Sequence, residues 1–160
     1  MPFFPSQSEV LVSSLSKEVV LANLQEVTKQ VNYLDYDLKQ DQEFQFNGKI
    51  EKDQFHISLL IQKADSFLPL IKGKIEDTPM GCILFLTYRL FPSSTFFLGF
   101  WSLVTLGLTL FFGLVQQKTV YAILSLSFGI FNYLFAWLHF KRKIKISQDI
   151  FHQLLDKNQL

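Results

Sequence analysis

The sequence predicts an α+β membrane protein: an N-terminal helix plus an antiparallel β-meander, then a two-helix transmembrane hairpin and a short C-terminal helix. Three observations lead to this class. Apolar and polar side chains alternate at strand period through much of residues 43–90. The stretches 90–117 and 119–140 carry no Asp, Glu, Lys or Arg, and each is long enough for the ~20 apolar residues that cross a bilayer. The charge is also segregated: residues 1–90 have 9 Lys/Arg against 12 Asp/Glu, 91–140 only Lys118, and 141–160 have 5 against 2. A chain of 160 residues that is 49% hydrophobic and 18% charged is neither disordered nor an autonomous nucleic-acid-binding domain.

Residues 1–90 read as one cytosolic α+β domain. Glu9 to Ser13 suits an edge strand, and Ser16-Lys17-Glu18 opens a helix over about 16–30 with a serine cap and an acidic first turn. Strands follow at about 43–50, 55–62, 70–76 and 82–90, with turns at Lys52-Asp53 and Asp77-Thr78-Pro79-Met80-Gly81. Gly48-Lys49-Ile50-Glu51 recurs as Gly73-Lys74-Ile75-Glu76, which suggests two similar hairpins in one sheet. A glycine at the centre of each strand marks a bulge, or a place where another backbone or an aromatic ring comes close.

The first span is expected at 94–115, after Pro92-Ser93-Ser94, where proline breaks the preceding strand and a serine caps the helix. Residues 116–118 form the outside loop, 119–140 the second span, and 141–160 a basic tail in which Ser147-Gln148-Asp149 caps a short helix. Met1 to Pro5 lacks the basic and apolar regions of a cleavable signal. Lys141, Arg142, Lys143 and Lys145 outweigh Lys118, so the positive-inside rule puts both termini in the cytosol of a bacterial inner membrane. These four cations set topology and are candidates for contact with anionic headgroups, as are Lys72 and Lys74.

Membrane helices associate through close approach of small residues and through polar contacts. Ser102, Thr105, Thr109 and Gly113 share one face of the first span, and Ala122, Ser125, Gly129, Asn132 and Ala136 share one face of the second. Folding about Gln117 sets Asn132 beside Ser102, its expected hydrogen-bond partner, Gly129 beside Thr105 and Ser125 beside Thr109.

Chemistry is sparse. His56, His139 and His152 are dispersed and Cys82 is the only cysteine, so neither a metal-ligand spacing nor a disulfide is available. No phosphate cradle or nucleophile elbow occurs, and no catalytic residue, cofactor or metal is assigned. The acidic run Asp35, Asp37, Asp41, Glu43 reads as a solvated loop.

The run Phe46-Asn47-Gly48-Lys49-Ile50, then Ser66 to Glu76, then an aromatic-rich span, resembles a group of bacterial proteins with a small β-rich domain before a two-helix membrane hairpin. The resemblance covers about residues 44–140, and what it implies is location and architecture, with no reaction. The leading expectation is a membrane-anchored protein-binding or assembly module. The alternative is a membrane-adjacent lipid or small-ligand sensor. The expected partners are the bilayer, a cytosolic or membrane protein, or a second copy of the chain, and no nucleic acid.

Overall fold

Strand periodicity is realised as a sheet with one packed face and one open face. The computed structural model describes residues 4–29, 44–60 and 67–156. Its elements are β1 (Ser6–Ser13), α1 (Lys17–Glu26), β2 (Thr28–Lys29), β3 (Phe46–Ile50), β4 (Gln54–Leu59), β5 (Pro69–Thr78), β6 (Gly81–Leu90), α2 (Pro92–Leu110) and α3 (Thr119–Asp156). One π-helical turn, Phe111–Val115, extends α2. The protein is therefore α+β, with a six-stranded sheet and three helices, two of them long and apolar.

The strands lie in the order β1-β6-β5-β4-β3-β2, so β3 to β6 form a meander and β1 adds beside the last of them. All neighbours are antiparallel except β2 and β3. The inner face carries Phe46, Phe55, Ile57, Ile71, Leu84 and Tyr88, all fully buried. Two helices cover it. From α1 come Val20 and Leu24, and from the far half of α3 come Ile144, Phe151 and Leu154. The Phe151 ring lies 5.3 Å from that of Phe46 and 6.0 Å from that of Phe55, joining the helix to the middle of the sheet.

Four expectations need correction. The N-terminal helix stops at Glu26 and does not continue to 30, because the Val27 carbonyl accepts from the Gln45 and Phe46 amides and Thr28 pairs with Phe46. Pairing with β3 satisfies those backbone groups, and the β-branched Thr28 suits it. Helix α2 starts two residues early: Phe91 is the N-cap without a side-chain bond, and Pro92 takes the first helical position, where its missing N–H costs nothing.

The third correction is the largest: among the described residues the tail helix is not separate, since α3 runs unbroken for 38 residues. Beyond Gly129 it meets neither glycine nor proline, and Ser147 donates to the Lys143 carbonyl inside the helix at 3.1 Å. Ala136, Phe140, Ile144, Ser147, Phe151 and Leu154 form one buried stripe that keeps the helix going against the sheet. Finally, the recurring Gly-Lys-Ile-Glu segments occupy different registers. Gly48 faces Ile57 and its strand ends at Ile50, whereas Gly73 faces Leu86 and its strand continues to Thr78.

The central glycines nevertheless meet close neighbours. A Cβ at Gly48, whose φ is +156°, would sit 2.1 Å from the His56 carbonyl oxygen, and one at Gly73 would sit 2.0 Å from the Phe55 ring. Both long helices are long and apolar enough to cross a membrane, over Pro92–Val115 and Thr119–Leu154. Their bulky side chains point outward: Phe96, Leu103 and Phe131 are each at least two-thirds exposed.

Candidate functional site at the sheet and helix junction

Strand β6 passes into α2 through Phe91 alone, so the open face of the sheet meets the first turns of an apolar helix. Leu70 pairs with Arg89 and Lys72 with Thr87, which sets Lys72 and Arg89 diagonally on that open face, both exposed. Below them an open groove of about 610 Å3 runs along α2, lined by Leu70, Phe96, Phe100 and Leu103. Phe4 closes one side, its ring 3.4 Å from where a Gly99 Cβ would lie. The volume falls within the ~300–1,000 Å3 usual for small-ligand sites.

Charge on the open face is unevenly matched. Lys49 pairs with Glu51 at 2.9 Å and Lys74 with Glu76 at 2.6 Å. Among the described residues, Lys72 and Arg89 have no such carboxylate, so the two cations at the groove are the unmatched ones. His56 stands opposite both Lys49 and Lys72, in a row of basic side chains across three strands.

On the inner side a second polar cluster joins β1, β6 and α3. Glu9 Oε2 accepts from the Tyr88 hydroxyl at 3.2 Å and from Gln148 Nε2 at 2.8 Å, while His152 Nε2 lies 3.4 Å from Oε1. Burial, and then the adjacent Glu9 charge, push the Tyr88 phenol well above its ordinary range, so it remains a hydrogen-bond donor. This is a clasp holding α3 to the edge strand. Cys82 is fully buried, and burial pushes its thiol up, away from nucleophilic use. Among the described residues no group of three or more His, Cys, Asp and Glu converges to hold a metal.

The residues assigned to helix packing fall on the contact between α2 and α3 in part. Gly129 meets Thr105, where a Cβ would lie 2.7 Å from Oγ1, and Gly113 meets Ala122 at 3.7 Å. Ser125 donates to the Thr105 carbonyl at 3.0 Å and is not paired with Thr109, whose own hydroxyl also donates to that carbonyl, at 2.7 Å. The Ser102–Asn132 bond does not form: Ser102 donates to the Leu98 carbonyl of its own helix at 2.8 Å. Ala136 is fully buried, and Asn132 is half-buried. Replacing Gly129 by Ile should push the helices apart at a cost of about 1–3 kcal/mol. Oxidative cross-linking between cysteines at Gly113 and Ala122 checks this, with yield expected to fall and an unchanged yield refuting it.

Lys141, Arg142 and Lys145 are exposed on α3 just past its apolar stretch, and Lys141 Nζ lies 5.5 Å above the Trp137 ring. Because α3 covers the inner face, these cations are separated by the sheet from Lys72 and Arg89. Sequence pattern alone gives Arg89, Glu9 and Gln148 no role in a site. For Arg89 a signal existed: it is the last charge before the apolar stretch. No family model, curated protein or solved structure matches this chain.

Proposed function

We propose that the chain is a two-span inner-membrane protein that holds its sheet against the cytosolic leaflet as a binding module, with the junction groove as the binding site. The observation that carries the reading is the continuity of α3. One helix is outward-facing and apolar through Phe131 and Leu138, then buries Phe140 to Leu154 against the sheet. A sheet fixed this way, with one residue between β6 and α2, has no tether on which to leave the bilayer surface. Exposed aliphatic and aromatic side chains along both long helices suit lipid as their solvent. Lys141, Arg142, Lys143 and Lys145 favour a cytosolic C-terminus.

Reporter fusions after Arg89, at Lys118 and after Leu160 test the arrangement. The expected pattern is cytosolic, outside, cytosolic, with the full chain retained in alkaline-washed membranes. An outside reporter after Leu160 overturns the topology, and release by alkali overturns the spans.

Of the two readings open from sequence, ligand binding gains support from the groove. A protein partner is the second reading, favoured by Val10, Val12 and Phe85, exposed on the open face with Val10 directly opposite Phe85. A photocrosslinker at Val12 that captures no specific protein in living cells counts against it.

A further inference from the structure

We propose that the groove is a site for one anionic phospholipid of the adjoining leaflet, its phosphate between Lys72 and Arg89 and one acyl chain along Phe96, Gly99 and Leu103. The proposal rests on the reading of α2 and α3 as membrane spans.

Three features of the groove select this occupant. Its charged end is cationic and unmatched, since Lys49 and Lys74 on the same face are neutralised by Glu51 and Glu76 while Lys72 and Arg89 are not. A phosphate diester presents the acceptors that an exposed guanidinium and ammonium lack here, and Arg89 has the planar fork that suits phosphate oxygens. Next, the wall below the cations is apolar apart from Thr95 down three turns of α2. A free inorganic anion gains nothing from Phe96, Phe100 and Leu103, whereas an acyl chain lies along them in the apolar surroundings that the span itself requires. Last, the groove is open along its length, so a chain can enter sideways from the leaflet and continue into it. Pro92 begins the candidate span two residues after Leu90 and three after Arg89, which brings the two cations to headgroup depth.

Gly99 gives the site a shape that bare surface charge does not have. It leaves a gap in the α2 surface beside the Phe4 ring, and any larger side chain there fills the groove without altering its charge. Charge and shape can therefore be varied independently.

The test is lipid retention by the full-length protein in neutral detergent, read by native mass spectrometry against dioleoyl phosphatidylglycerol and dioleoyl phosphatidylcholine. Wild type should retain one phosphatidylglycerol in preference to phosphatidylcholine. The Lys72→Gln/Arg89→Gln pair should weaken that retention roughly 10- to 100-fold, and Gly99→Leu should weaken it with the charges intact. Lys49→Gln/Lys52→Gln, which removes two exposed cations that do not line the groove, should leave it unchanged. Thermal unfolding of each variant at the wild-type midpoint shows that the loss belongs to the site.

Equal retention of the two lipids overturns the proposal. So does indifference to the Lys72/Arg89 pair, displacement of the lipid by an equal concentration of glycerol phosphate, or a loss in the Lys49/Lys52 control as large as in the groove variant. Gly99→Leu binding as wild type reduces the interaction to surface charge and overturns the site as well. Failure of the underlying reading looks different: the wild-type chain would then be released from membranes by alkali, whatever its lipid preference in detergent.

Discussion

Phe151→Ala is expected to lower stability by about 3–5 kcal/mol and to free the last turns of α3 from the sheet. The ring is 1% exposed and stands against both Phe46 and Phe55, each fully buried on neighbouring strands. Its removal leaves a cavity that the rigid sheet cannot close, because β3 and β4 are held in register by their ladder. The helix beyond Lys145 then keeps Ser147, Leu154, the partly buried Ile150 and the clasp of Gln148 and His152 on Glu9. Hydrogen exchange in neutral detergent should show lost protection from about Ile146 to Leu154, and trypsin should cut faster at Lys143 and Lys145. Phe131→Ala is the control, since that ring is 68% exposed and outward-facing, and it should shift the detergent unfolding midpoint little. Unchanged exchange in the Phe151 variant would mean that α3 is held by something other than this contact.

The same residues explain what sequence reading reaches and where it stops. Strand alternation is a local signal with period 2, and it shows which side chains of β3 to β6 face inward without any knowledge of partners. Helix length against bilayer thickness is likewise local. The two central glycines are legible as sites of close approach, and the structure supplies the neighbours, a carbonyl at Gly48 and a ring at Gly73. What is not legible is set by contacts between distant residues. Glu9 and Gln148 are separated by 139 positions, and no periodicity relates them.

Ser147-Gln148-Asp149 reads as a helix start because a serine before an acidic residue often caps one. The sheet decides otherwise by burying Ser147 completely, and its hydroxyl then turns back to the Lys143 carbonyl. Ser102 fails as the partner of Asn132 for the same reason, since its own i−4 carbonyl is closer at hand. Small-residue spacing identifies the contacting faces of two helices, but not which hydroxyl crosses between them. The groove depends on register: Lys72 and Arg89 belong to different strands, and only the pairing of Leu70 with Arg89 makes them diagonal neighbours.

Gly73→Ala is expected to destabilise the protein by about 1–3 kcal/mol, although an intrinsic strand preference argues the opposite. Glycine inside a strand costs roughly 0.5–1 kcal/mol relative to alanine, so backbone propensity alone predicts a gain. The contact predicts a loss. Gly73 lies directly across from Phe55, and an added Cβ would fall 2.0 Å from Cζ and 2.4 Å from both Cε atoms of that ring. The ring covers a glycine that has no side chain of its own to pack, an arrangement that also stabilises designed sheets. Phe55 cannot swing aside cheaply, being fully buried with Phe151 behind it. A double-mutant cycle with Phe55→Leu isolates the term: the pair should cost less than the two single changes together, by at least ~1 kcal/mol. Urea unfolding in neutral detergent supplies all four stabilities. A stabilising Gly73→Ala, or strict additivity with Phe55→Leu, would show that the glycine serves the backbone and not the ring.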